Sequence, residues 1–320
     1  TIENDGTVKY ADTTKSWYNY CDKIWANAVI LEDGTNYKTG DTISEADIQS
    51  YFVWIPKYSY QLWNVDKASK NAHEIDIVFD ETNTTDVEGV SCKTPMASGE
   101  SGNCNNGEYM THPAFISMGV NGFWVGKFET GYKGATSVSS SQVNANDISK
   151  VIIKPNAYSW RNITVYNAFL NSYNYQRNLE SHMMKNTEWG AISYLSHSKY
   201  GLDYEININN NSNYKTGYSA LKDSSQQTFP GTNGDGTTYN SAYNTEIGYL
   251  ASTTGNITGI YDMSGGAGEY VASYITGKLG SSGFDSTTKA QYDVKYFDKY
   301  NSLSNENSYQ YRILGDATAE

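Results

Sequence analysis

The sequence predicts an α+β fold: a twisted antiparallel sheet of short strands, two helices and long polar loops, preceded by a small N-terminal β unit. Three observations predict it. Residues 122 to 129, GFWVGKFE, set Phe123, Val125 and Lys127 against Trp124, Gly126 and Phe128, the period-two pattern of a strand. In SHMMKNTEWGAISYLSHSKYG, Met184, Glu188, Ala191 and Leu195 recur at three- and four-residue spacing, which predicts a helix over 184–195 with Gly201 as its terminator. Long stretches dense in Asn, Ser, Thr and Gly lie between such elements; the one running from Gly201 to Tyr249 is too poor in apolar residues to be core.

The remaining elements follow in chain order. SWYNYCDKIWANAVI, residues 16–30, mixes aromatic and small apolar residues like a strand, and EDGTNYKTGD after it is rich in turn formers, so residues 1–45 read as an N-terminal strand unit or stalk and 46–320 as the main domain. YFVWIPKYSYQLW suits a strand buried on both faces, with Pro56 placing it at an edge or bulge. IDIVF, residues 75–79, predicts another short strand, and residues 80–110 a surface insertion. TVYNAFLNSYNYQ predicts the second helix.

Composition bounds the function. The 320 residues suffice for a sizeable core, yet only 38% are hydrophobic, and 29 Tyr, 7 Trp and 9 Phe supply much of that. Charged residues make up 18%, below the ~25% of ordinary soluble domains, and they sum to −12. That field repels nucleic acid. No apolar run reaches the roughly 18 residues of a membrane helix, so no span is expected in this chain. Cys21, Cys92 and Cys104 match neither a zinc site nor a disulfide scaffold. SCKTPMASGESGNC either closes a loop through Cys92 and Cys104, leaving Cys21 over, or carries two free thiols. The four histidines, His73, His112, His182 and His197, show no metal spacing, and no G-x-S-x-G or phosphate loop occurs.

Three segments in order, GFWVGKFET, MMKNTEWGAISYL and GNITGIYDMSGGAGEYV, resemble the formylglycine-generating (sulfatase-modifying factor) family. The family patterns are F-x-I-G-x-Y-E on a strand, R-L-P-T-E-A-E-W-E-Y-A on a helix, and N-x-F-G-L-Y-D-M-x-G-N-V-W-E-W. The resemblance covers roughly residues 122–271 and implies a C-type-lectin-like fold. That fold also carries the variable proteins of diversity-generating retroelements and many bacterial and phage adhesins. Trp124 lies in the strand motif, Glu188 and Trp189 match the helix motif, and Gly259, Tyr261, Asp262, Met263, Gly265 and Glu269 match the third. The resemblance implies that Glu188 and a buried Trp189 hold the helix against the sheet.

The departures bear on chemistry. The family's Asn is Gly266 here, and its two Trp are Gly268 and Tyr270. Calcium held near this segment in family enzymes is the one cofactor the resemblance implies, with Glu269 as its remaining acid. Family catalysis needs a late thiol pair to bind copper, and no cysteine follows Cys104. The SGGAG loop therefore reads as structural, its glycines allowing a tight core turn and Glu269 bonding nearby amides. NSNYKTGYSA and TTYNSAYNTEIGY have the Tyr, Ser, Gly and Asn chemistry of recognition loops, which makes Tyr214, Tyr218, Tyr239 and Tyr243 candidate ligand contacts.

The resulting expectation is a non-enzymatic, extracellular, adhesin-like display protein, on a bacterial surface or pilus, whose partner is a host-cell or surface protein or glycan. The alternatives are a phage tail-fibre or virion receptor-binding protein and a degenerate formylglycine-type enzyme. The chain ends at YRILGDATAE before the family's R-G-G element, so the sheet is expected to be completed by a later segment or another subunit.

Overall fold

The computed structural model of the chain describes residues 1–61, 74–80, 109–202, 204–220, 241–280 and 282–300. Its elements are mixed α+β. The central unit is a three-stranded antiparallel sheet in which β4 (Ile48–Pro56) lies between β2 (Asn27–Leu31) and β8 (Gly122–Gly126). A second such sheet sets β5 (Tyr58–Gln61) between β6 (Ile77–Phe79) and β7 (Tyr109–Thr111). Lys57 separates β4 from β5, and Pro56, whose missing N–H would break a ladder, sits at the last pair of β4, opposite Gly122.

Alternation along β4 decides what is core. Val53 and Ile55 face the same way as Val125 of β8, and these pack with Ala191, Ile192 and Leu195 of α3 (Asn186–Ser196) in one buried cluster. The expected helix-on-sheet packing is thus observed. The opposite face carries Ala28, Phe52, Trp54 and Trp124, paired in register, and it is only half covered. β4 is therefore not buried on both faces as expected. Its exposed side is one wall of a cleft.

Glu188 starts α3 by accepting from the Lys185 N–H at 2.8 Å, while Asp298 accepts from Thr187 N at 2.7 Å, satisfying first-turn amides that have no partner within the helix. The helix ends at His197, so Gly201 is not its terminator; Gly201 sits too close to the Ser196 backbone to carry a side chain. The second expected helix is α2 (Val165–Tyr175), capped by Thr164 and buried through Phe169. Two short helices, α1 (Pro113–Met118) and α4 (Ser286–Lys289), were not expected. Small pairings complete the fold. β1 (Val8–Lys9) pairs with β3 (Thr42–Ile43), β9 (Gly131–Tyr132) with β10 (Val151–Ile152), and β11 (Tyr218–Ser219) with β12 (Ser241–Ala242), all antiparallel. β13 (Ser273–Ile275) and β14 (Asp298–Tyr300) are parallel.

Residues 1–45 do not pack as a separate unit. β2 belongs to the central sheet, and Val8 and Ile43 share a buried cluster with Ile48, Tyr51, Phe128 and Tyr261. The polar region after Gly201 also corrects an expectation: Asn207, Asn209, Asn211 and Thr216 are buried, with their amides and hydroxyl spent on backbone and side-chain partners. Hydrogen bonding, rather than apolar area, lets this segment enter the core. Cys21 is disulfide-bonded and so is not the thiol left over. Its partner lies outside the described residues, as do Cys92, Cys104 and the expected sheet completion after residue 300.

Candidate functional site

The third motif is built around two buried groups from the stretch that follows β8, which ends at Gly126 instead of running to Glu129 as expected. After Gly126 the chain bends, and Lys127, fully buried, donates its three ammonium hydrogens to Ile257 O at 2.6 Å, Gly259 O at 2.8 Å and Asn27 Oδ1 at 2.9 Å. Burial drives its proton affinity down, and the three acceptors stand in for lost water. Two residues on, Glu129 is 5% exposed; its Oε2 accepts from Ser159 Oγ at 2.5 Å, and its Oε1 has no partner.

Asp262 closes the arrangement. It holds a left-handed backbone, φ 63°, and its carboxylate accepts from Asn209 Nδ2 and from the N–H groups of Gly217 and Glu129. Burial raises its proton affinity and these donors pull it back. Glu129 has fewer donors. Burial first, then the charges of Asp262 and Glu269, push its carboxyl far above the usual range, so it is the member of the pair that keeps a proton.

The SGGAG loop lies against this floor. Asn209 N donates to Ser264 O and Gly266 N to Asn209 O, each at 2.8 Å. Gly265 and Gly266 have φ of 87° and 74°, and a Cβ on Gly266 would meet Glu129 Oε1 at 2.5 Å. Both glycines are therefore required by backbone shape and by close approach, which is the structural role expected of them. Glu269 differs from the expectation. It takes no hydrogen bond from a described amide; it is exposed, standing open beyond the loop, with its proton affinity raised by the surrounding protein and by Asp262.

Glu269 opens into a cleft of about 900 Å³ whose walls are the uncovered face of the central sheet, the start of α3, and the loop itself. Trp124 is 45% exposed, Trp189 37% and Tyr270 51%, and all three line it. Trp189 is thus not buried. It lies one step around α3 from the buried Glu188, on the flank that faces the cleft rather than the sheet. Glu188 itself is buried and also meets His182 Nε2 at 2.8 Å; burial opposes the imidazolium, but Glu188 outweighs it and raises the His182 proton affinity.

Of the tyrosines singled out, Tyr214 lines the cleft beneath the Arg161 guanidinium, 3.9 Å from its ring. Tyr218 donates to Asn156 Oδ1. Tyr243 is a packing residue, its ring edge-on to Phe128 at 5.5 Å, which corrects its expected role as a free contact. Tyr239 lies outside the described residues. Tyr261 is buried, with its hydroxyl on Tyr243 O. Sequence reasoning missed Lys127 and Glu129 as site residues. Two charges alternating through an otherwise apolar strand were the signal available.

Among the described residues, no group of three or more His, Cys, Asp or Glu side chains is placed to share a metal ion. Asp262 has both oxygens engaged by N–H donors, and the Glu129 carboxyl lies beneath Gly266. No protein-family model matches the chain, and no curated protein matches it.

Proposed function

We propose that the chain is a non-enzymatic, extracellular ligand-binding protein of adhesin-like type, built on a C-type-lectin-like domain related to the formylglycine-generating enzymes. It is displayed on a bacterial surface or pilus and holds a protein or glycan ligand in the cleft. One observation carries this reading: Trp124, Trp189 and Tyr270 stand open at a single cleft instead of entering the core. Large rigid aromatics exposed together are expensive in water and supply contact area at small rotamer cost. The buried acids at the cleft floor favour binding over catalysis because Asp262 is spent on N–H donors and the Glu129 carboxyl is covered by Gly266.

The test is to label the purified chain and apply it to glycan and peptide arrays, alongside a turnover assay with a cysteine-containing peptide, copper and oxygen. The expected result is selective array binding and no aldehyde product. Blank arrays together with peptide turnover would replace this reading with the enzyme.

A further inference from the structure

Charge around the cleft is unevenly matched. Its lining carries the carboxyl groups of Glu129, Glu180, Glu188, Asp262 and Glu269 against Arg161 and His182. His182 is committed to Glu188 and Lys295 from outside the cleft to Glu180, while Arg161 keeps its charge, giving one N–H to the Val138 carbonyl and lying over the Tyr214 ring with its Nε unpartnered. Asp262 is satisfied by N–H donors. Among the described residues that leaves the Glu269 carboxyl without a cationic partner, in a chain whose net charge is −12. Tyr270 adjoins Glu269 in sequence, and Trp124 and Trp189 line the same space. Aromatic faces and an uncompensated carboxylate converging in one cleft favour an organic cation with an alkyl stem, because ring quadrupoles attract the charge while the rings cover the methylenes.

Resting on the binding role of this cleft, we propose that its ligand is a lysine side chain of a partner protein, with the ammonium seated on Glu269 and the stem covered by Tyr270, Trp189 and Trp124. Glu129 does not touch the ammonium. It lies behind Gly266, and because it keeps its proton the charge of the seat is that of Glu269. A lysine suits the cleft better than arginine, since a single open carboxylate offers a point charge its partner and no second acceptor for a fork.

The test titrates the chain with the peptide Gly-Gly-Lys-Gly-Gly, its norleucine counterpart and glucosamine, reading tryptophan fluorescence. The lysine peptide should bind at least about tenfold more tightly than the norleucine peptide. Glu269→Gln should remove that preference, whereas Glu246→Gln, an equal change of charge at an exposed position, should keep it. Circular dichroism checks that both variants fold. Equal binding of the two peptides overturns the cation while leaving the cleft a binding site. Binding of glucosamine without the lysine peptide overturns the source, an unaltered preference in Glu269→Gln overturns the seat, and no binding by any probe overturns the proposal as a whole.

Discussion

Gly266 rests its backbone directly on the carboxyl of Glu129, so close that a Cβ there would come within 2.5 Å of Oε1 and 2.8 Å of Cδ. The contact joins the loop after Asp262 to the end of the GFWVGKFE segment, and it covers the Glu129 carboxyl at the floor of the cleft. Gly266→Ala meets both this obstruction and the cost of a side chain at φ 74°. It should destabilise the protein by roughly 2 to 3 kcal/mol in urea unfolding. In a Glu129→Ala background the same change should cost about 1 kcal/mol, the backbone part alone. Equal costs in both backgrounds would show that the contact is not made.

Glu129 also predicts a pH dependence. Its folded-state proton affinity is raised, to about 9 from an ordinary 4.5, by burial and then by Asp262 and Glu269. Between those values the folded chain binds more protons than the unfolded one, so stability falls as pH rises through this window. Glu129→Gln, neutral throughout, should flatten that decline, measured as urea midpoint against pH. A decline of the same slope in the variant would assign it to other groups.

Lys127 answers to a different test. Lys127→Met keeps a chain of similar length but leaves the carbonyls of Ile257 and Gly259 and the Asn27 amide oxygen without their shared donor. Unmade buried hydrogen bonds of this kind should cost roughly 2 to 3 kcal/mol. An unchanged urea midpoint would mean that these carbonyls find other donors.

The two longer helices and the central sheet were legible because their patterns are local. Spacing of Ala191 and Leu195 marks the buried face of α3, and alternation marks β4 and β8. Three things were not legible. Trp189 adjoins a buried acid in sequence, and single-residue steps around a helix decide exposure more finely than periodicity does. The asparagines at 207, 209 and 211 read as loop because their burial depends on distant partners such as Asp262. Tyr243 shares its composition with a recognition loop and differs only in having Phe128 and Tyr261 beside it.

The central claim is that the cleft beside Trp124 and Trp189 holds the ligand, and the most direct measurement is array binding of the Trp124→Ala, Trp189→Ala double variant against the unaltered chain. Both side chains are more than a third exposed, so the double change should cost only about 1 to 2 kcal/mol and leave a folded protein, checked by near-ultraviolet circular dichroism. The account predicts that the features bound by the unaltered chain lose at least about tenfold in affinity, as truncated aromatic anchors do. A folded double variant that binds the same features with the same affinity would place the binding surface elsewhere and contradict the account.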